Sequence, residues 1–117
     1  MVPVPLYWRK KLQRGFNQSE LIAREIHRIF LKPLSVKNLI RIKNTVSQTK
    51  LSKSKRYANV RKAFFIKDPA LVEGKRVLLV DDVLTTGLTM QECAKKLKET
   101  GVKSVHLFVL AIADYRS

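Results

Sequence analysis

Residues 77–90, VLLVDDVLTTGLTM, set four apolar residues before two adjacent acids and a threonine-rich turn around one glycine. The two halves of that string suit different chemistry. Asp81 and Asp82 would repel phosphate, but as carboxylates they accept hydrogen bonds from vicinal hydroxyls and can help hold a divalent cation. Thr85, Thr86, Gly87 and Thr89 suit a phosphate. Glycine lets backbone approach the oxygens, hydroxyls donate, and N–H groups at a helix start point at the anion. A ribose carrying a 5'-phosphate presents both demands at the required separation.

For these residues to converge, the elements around them must form an open α/β sheet. RVLLV at 76–80 is too continuously apolar to have a wet face, so it is expected to be a central, parallel strand. A helix begins near Leu88, buries Met90, Cys93, Ala94 and Leu97, and closes at Gly101. SVHLFVLAIA at 104–113 is expected to be a last buried strand, joined by a right-handed crossover. The segment DDVLTTG then lies in the crevice at the carboxyl end of the central strand, where ligands bind in such sheets. Upstream, VPVPL at 2–6 suits an edge strand or a strand end. YWRKKLQRG follows as a basic loop. Asn17 and Glu20 mark the start of a helix whose apolar face is Leu21, Ile22, Ile26, Ile29 and Phe30, and which stops before Pro33. LIRIK at 39–43 and AFFIK at 63–67 are further strands. Residues 44–62 have little apolar periodicity and are expected to form a mobile basic loop.

Composition excludes several classes. At 117 residues the chain is read as one domain over 1–117, and its 45% hydrophobic and 28% charged residues describe an ordinary globular protein. No segment approaches the roughly 18 apolar residues of a membrane span, and no signal peptide is evident. Cys93 is the single cysteine, so no internal disulfide and no multi-cysteine metal site exists, and the cytoplasm is the expected compartment. The formal charge is +15, and between Glu25 and Asp68 no acid occurs while twelve Lys or Arg do. That half of the chain suits an anion, either nucleic acid or a small ligand with several phosphates. Neither a GxGxxG fingerprint nor the GK[ST] of a P-loop is present. Paired acids after an apolar run also occur in phosphoacceptor receiver domains, but there they end the first strand, and only 35 residues follow Asp82 here.

The string at 77–90 resembles the phosphoribosyl-pyrophosphate (PRPP) motif of type I phosphoribosyltransferases. More narrowly, PVPL at 3–6, RGFNQSELIA at 14–23 and SQTKLSKSKRYANVRKAF at 47–64, with Gln48, Leu51, Arg56, Asn59 and Val60, resemble the ComF family of competence-related phosphoribosyltransferase-like proteins. The resemblance implies a type I phosphoribosyltransferase-like α/β fold, a mainly parallel sheet flanked by helices. It implies that Asp81 and Asp82 bind the ribose 2' and 3' hydroxyls and that Thr85, Thr86, Gly87, Leu88 and Thr89 hold the 5'-phosphate, with Val83 and Leu84 in the same PRPP-binding stretch. Arg14, Gly15, Phe16 and Asn17 fall where relatives hold pyrophosphate. The basic segment with Gln48, Lys53, Arg56 and Arg61 falls where they carry a mobile lid, and Lys53 and Arg56 join the acids as catalytic candidates. Mg2+ is the implied cofactor, arriving with PRPP and reached by Asp81 and Asp82. Longer relatives carry a cysteine-rich, zinc-finger-like N-terminal region that is absent from this sequence, so the chain is expected to be a short form or a fragment.

Two functions of different class follow. One is an enzyme displacing pyrophosphate from PRPP–Mg2+ at C1' of the ribose, the acceptor being open. The other is a non-catalytic DNA-uptake module that binds single-stranded DNA or a helicase partner through its basic face, with Tyr7 and Trp8 before Arg9, or Tyr57 after Arg56, stacking on bases. A homodimer is an open alternative to a monomer.

Overall fold

The computed structural model describes residues 1–42 and 62–113. The expected basic loop over 44–62 therefore lies, apart from Lys62, outside the described residues, and Gln48, Lys53, Arg56 and Arg61 lie there with it. The described chain runs β1 (Val2–Pro3), α1 (Trp8–Arg14), α2 (Gln18–Phe30), β2 (Leu39–Arg41), β3 (Phe64–Ile66), a 3-10 turn (Pro69–Leu71), β4 (Arg76–Leu84), α3 (Leu88–Glu99) and β5 (Ser104–Ile112). No helix among the described residues is long and apolar enough to cross a membrane.

The apolar run is the centre of the sheet, as its composition requires. β4 lies between β1 and β5 and is parallel to both, with Val2 opposite Leu79 and Val77 opposite Val105. Leu79 and Val80 are fully enclosed, and α3 packs Met90, Cys93 and Leu97 onto the same core. Each such side chain contributes about 1.5 to 3 kcal/mol by leaving water. α3 closes through the Thr100 N–H to the Leu97 carbonyl, and Gly101 follows with φ 89°. β2 and β3 form a separate antiparallel pair, in which Arg41 stands opposite Phe64. Buried Asn38 closes that pair, donating to the Asp68 carbonyl and accepting from the Asp68 N–H.

Four expectations need correction. The segment read as a basic loop after β1 is helix α1, closed by Gly15 at φ 80° with its N–H on the Lys11 carbonyl. Trp-Arg-Lys-Lys-Leu-Gln-Arg contains no helix breaker, but it is polar nearly all round and leaves Leu12 73% exposed, so no apolar period announces it. α2 begins at Asn17 as expected, but the side it buries is Ser19 and Ala23, while Leu21, Ile29 and Phe30 are exposed. The buried stripe is rotated by part of a turn because small residues let the helix approach the sheet. β4 does not end at Val80 but continues to Leu84, its ladder with β5 carrying on through Asp81 opposite Val109 and Val83 opposite Ala111. β5, expected to be buried, has no fully buried residue. It is an edge strand among the described residues: Val105 and Val109 pack against the core from one face, and apolar sequence cannot bury the face that no described element covers.

Candidate functional site

β1 is much shorter than β4, and that mismatch creates the site. The last bond between them runs from the Val4 N–H to the Val80 carbonyl at 2.8 Å. From Asp81 onward the β1 side of β4 has lost its neighbour, and the chain after β1 turns away through Pro5 and Leu6. A cleft of about 190 Å³ opens there, lined by Val4–Leu6, Arg14, Asn17–Ser19, Arg41, Asp81–Thr85, Gly87, Thr89 and Met90.

The N-terminus of α2 forms one wall. The Asn17 side chain accepts from the Ser19 N–H at 3.1 Å, capping the helix, and its amide donates to the Val4 carbonyl at 3.1 Å. One residue thus pins the helix start to the end of β1. Ser19 completes the link to β4, its hydroxyl donating to Asp81 Oδ1 at 2.7 Å. Glu20 joins the two helices outside the cleft, pairing with Lys11 at 3.1 Å and Arg24 at 2.9 Å.

The paired acids are not equivalent. Asp81 Oδ1 accepts both the Ser19 hydroxyl and the Asp82 N–H, the latter at 2.9 Å. Burial pushes the Asp81 carboxyl up to about 6, against the smaller opposing pull of the Ser19 hydrogen bond. At neutral pH it remains mostly an anion and an acceptor.

Facing the acids are cations. Arg41 lies half-buried with its guanidinium 5.1 Å from the Phe64 ring centre, and its Nε is buried with no hydrogen-bond partner. Its pKa is lowered by burial. Lys10 is held below the usual lysine range by burial and then by repulsion from Arg41 and Arg14, so the three cations share one field. Like charges gathered beside a buried unpaired donor suit an anion with several oxygens.

The third wall is the turn into α3. Gly87 occupies its N-cap position with φ 81° and no side-chain cap, while the Thr86 hydroxyl accepts from the Leu88 N–H at 3.3 Å. A Cβ on Gly87 would meet only Leu84 Cδ1 at 3.8 Å, so glycine is required there by backbone conformation and not by space. Among the described residues no group of three or more His, Cys, Asp and Glu converges. Two carboxylates beside a phosphate-sized cleft nevertheless suit Mg2+, which binds through one or two carboxylates and takes its remaining oxygens from substrate phosphates and water.

Of the residues singled out in the sequence, Asp81, Asp82, Val83, Leu84, Thr85, Gly87, Thr89, Arg14 and Asn17 line the cleft, whereas Gly15, Phe16, Thr86 and Leu88 do not. Gly15 instead ends α1, and Phe16 is exposed. Sequence reasoning missed Ser19 and Arg41. Ser19 sat inside RGFNQSELIA as a helix-start residue, and Arg41 was the one charged residue inside the strand 39–41, a position that should have drawn attention.

Comparison with known proteins places this geometry in context. The family model of the phosphoribosyl transferase domain matches residues 17–116. The chain is similar to competence protein F of Haemophilus influenzae, 36% identical over an aligned length of 118 that covers 97% of this chain and 50% of that protein. It is also similar to DNA utilization protein YhgH of Escherichia coli, 36% identical over 94% of this chain and 48% of that protein. Competence protein ComFC of Bacillus subtilis is 35% identical over 94% of this chain and 43% of its own length. The chain spans about half the length of the curated relatives it matches.

Proposed function

The chain belongs to the phosphoribosyl transferase domain family, within its ComF group, and from that premise we propose that the cleft binds a phosphorylated ribose, with PRPP as the substrate. The observation that supports this reading best is the meeting in one cleft of two unlike walls. Asp81 and Asp82 offer acceptors for a diol, while Arg14, Arg41 and the Gly87 turn offer cations and a helix N-terminus for phosphates. In the proposed pose the carboxylates receive the 2' and 3' hydroxyls, residues 83–89 hold the 5'-phosphate, and the segment Arg14–Asn17 with Arg41 receives the pyrophosphate.

As a pentosyl transfer, the reaction would break the bond from C1' to the pyrophosphate oxygen and form one from C1' to the acceptor's nucleophilic atom. Positive charge develops on the sugar and negative charge on the departing pyrophosphate. Fixed carboxylates suit the first and fixed cations the second. Mg2+, when bound with the substrate, neutralises pyrophosphate charge, with Asp81 and Asp82 the residues that would face it. Lys53 and Arg56, with Gln48 and Arg61, are proposed to close over the pyrophosphate. We place the protein in the cytoplasm, where buried Cys93 stays a thiol.

Calorimetry with ribose 5-phosphate and with PRPP–Mg2+ tests the reading. Binding should weaken when Asp81→Asn is combined with Asp82→Asn, and unchanged affinity in that double variant would remove its main support. Pyrophosphate release against a panel of bases then tests turnover.

A second reading is a role in DNA uptake, through single-stranded DNA or a helicase partner. It rests on the names of the relatives, "competence" and "DNA utilization", and on the charge of +15. Charge alone yields weak, salt-sensitive binding to any DNA. A salt titration that finds duplex and single strand alike, and unaffected by Trp8→Ala, would reduce this reading to nonspecific electrostatics.

A further inference from the structure

Both hydrogen-bond donors of Ser19 are committed, although it lines an open cleft. Its N–H donates to the Asn17 cap at 3.1 Å, its hydroxyl donates to Asp81 Oδ1 at 2.7 Å, and the residue is only 3% exposed. A helix-start serine ordinarily faces water or caps its own helix. This one is turned inward on a carboxylate 62 positions away in sequence.

The final torsion of an aspartate is broad, so its carboxylate plane is set by what its oxygens bind. Asp81 is subject to competing pulls. Asp82 beside it repels it, Arg41 from β2 attracts it, and the buried Cys93 thiol of α3 lies within electrostatic reach of it. Arg41, whose buried Nε has no partner, attracts Asp81 through space, a pull that favours a carboxylate turned its way. Two donors on Oδ1, the Ser19 hydroxyl and the Asp82 N–H, oppose this. With Oδ1 held by two donors the carboxylate plane is set, and with it the direction of Oδ2.

We propose that Ser19 is the positioning residue that makes this cleft selective for the ribose diol: it fixes Asp81 so that one sugar hydroxyl, in the ribo configuration, meets Oδ2. The proposal rests on the phosphoribose reading above and deepens it by assigning sugar selectivity to a residue outside the acid pair. A ligand that lacks the hydroxyl, or presents it on the other side of the ring, leaves the fixed acceptor unmet. A carboxylate released from Ser19 can turn to suit either, so selectivity falls.

The test measures affinity for ribose 5-phosphate, 2-deoxyribose 5-phosphate and xylose 5-phosphate in wild type, Ser19→Ala, Ser19→Thr, Asp81→Asn and the Ser19→Ala/Asp81→Asn double variant. Wild type should prefer ribose 5-phosphate about tenfold or more over at least one analogue, as expected of a hydrogen bond to a charged group. Ser19→Ala should collapse that ratio, Ser19→Thr should restore it, and Ser19→Ala should change nothing further once Asp81 is Asn. An equal loss of affinity for all three sugars in Ser19→Ala, or an unchanged ratio, overturns the assignment and reduces Ser19 to packing. So does a Ser19→Ala effect on the ratio that persists in the Asp81→Asn background. A wild type that binds none of the three sugars is a distinct result: it refutes the phosphoribose reading itself and the inference with it.

Discussion

The two long helices flank the same strand, and they are built to opposite purposes. α3 places Met90, Cys93 and Leu97 in the core, and Leu97 and Cys93 are completely enclosed. α2, one residue longer, fully buries only Ser19 and Ala23 and leaves Leu21, Ile29 and Phe30 exposed. Its apolar side, with Ile26 and Phe30, instead borders a groove of about 780 Å³ shared with Leu34, Leu71, Leu78 and Phe108. A helix can thus be valuable for its end rather than its side. α3 stabilises the sheet along its length and presents Gly87 at its start; α2 adds little to the core and presents Asn17 and Ser19, which join β1 to Asp81.

That contrast can be broken at several points. The largest effect is expected where both helix starts converge: Asp81→Asn with Asp82→Asn should weaken ribose 5-phosphate binding by about 1.5 to 3 kcal/mol per hydroxyl contact, measured by calorimetry, with thermal stability retained. Next, Leu97→Ala in α3 should lower unfolding free energy by about 2 to 5 kcal/mol in urea titrations, because it leaves a cavity in a close-packed core. A loss below 1 kcal/mol would mean that α3 is not the structural helix described here.

The pH dependence of stability sharpens the role of Asp81. Its carboxyl is raised from an ordinary value of 3.8 to about 6, so the folded chain holds this proton more tightly than the unfolded chain does. The corresponding stability is fully present below about pH 4 and is lost as pH rises through about 6, on the order of 3 kcal/mol. Urea midpoints followed across that window should fall as pH rises, and Asp81→Asn should flatten the slope. Gly87→Ala should cost about 1 to 2 kcal/mol, because φ 81° is strained for any residue with a Cβ. The smallest effect should come from α2's exposed side, where Ile29→Ser should change stability by no more than about 0.5 kcal/mol. A large loss there would show that this face is covered in solution.

Much of the site was legible before any coordinates. Continuous apolarity in RVLLV requires a strand with both faces dry, and adjacent acids followed by a Thr-Gly turn suit a hydroxylated, phosphorylated ligand. These are local properties of residue type, and the structure keeps them: β4 is central, Asp81 and Asp82 line the cleft, and α3 starts after Gly87. Asn17 was readable as a cap for the same reason, since capping involves only neighbours in sequence.

Burial and partnership were not legible, because they depend on what folds against what. β5 is as apolar as β4, yet it lies at the edge of the sheet and stays exposed, so the same hydropathy has two outcomes. The strand end misread at Val80 extends to Leu84 because β5 supplies a parallel ladder past the acids. The cleft exists because β1 is short where β4 is long, a difference between segments more than 70 residues apart. Ser19 became a site residue only when α2 brought its first turn onto Asp81, and Arg41 only when its strand pairing with Phe64 left Nε buried and without a partner. Residue chemistry pointed to the kind of ligand proposed above; the packing of distant segments decided which side chains line the cleft and which of them are held in place.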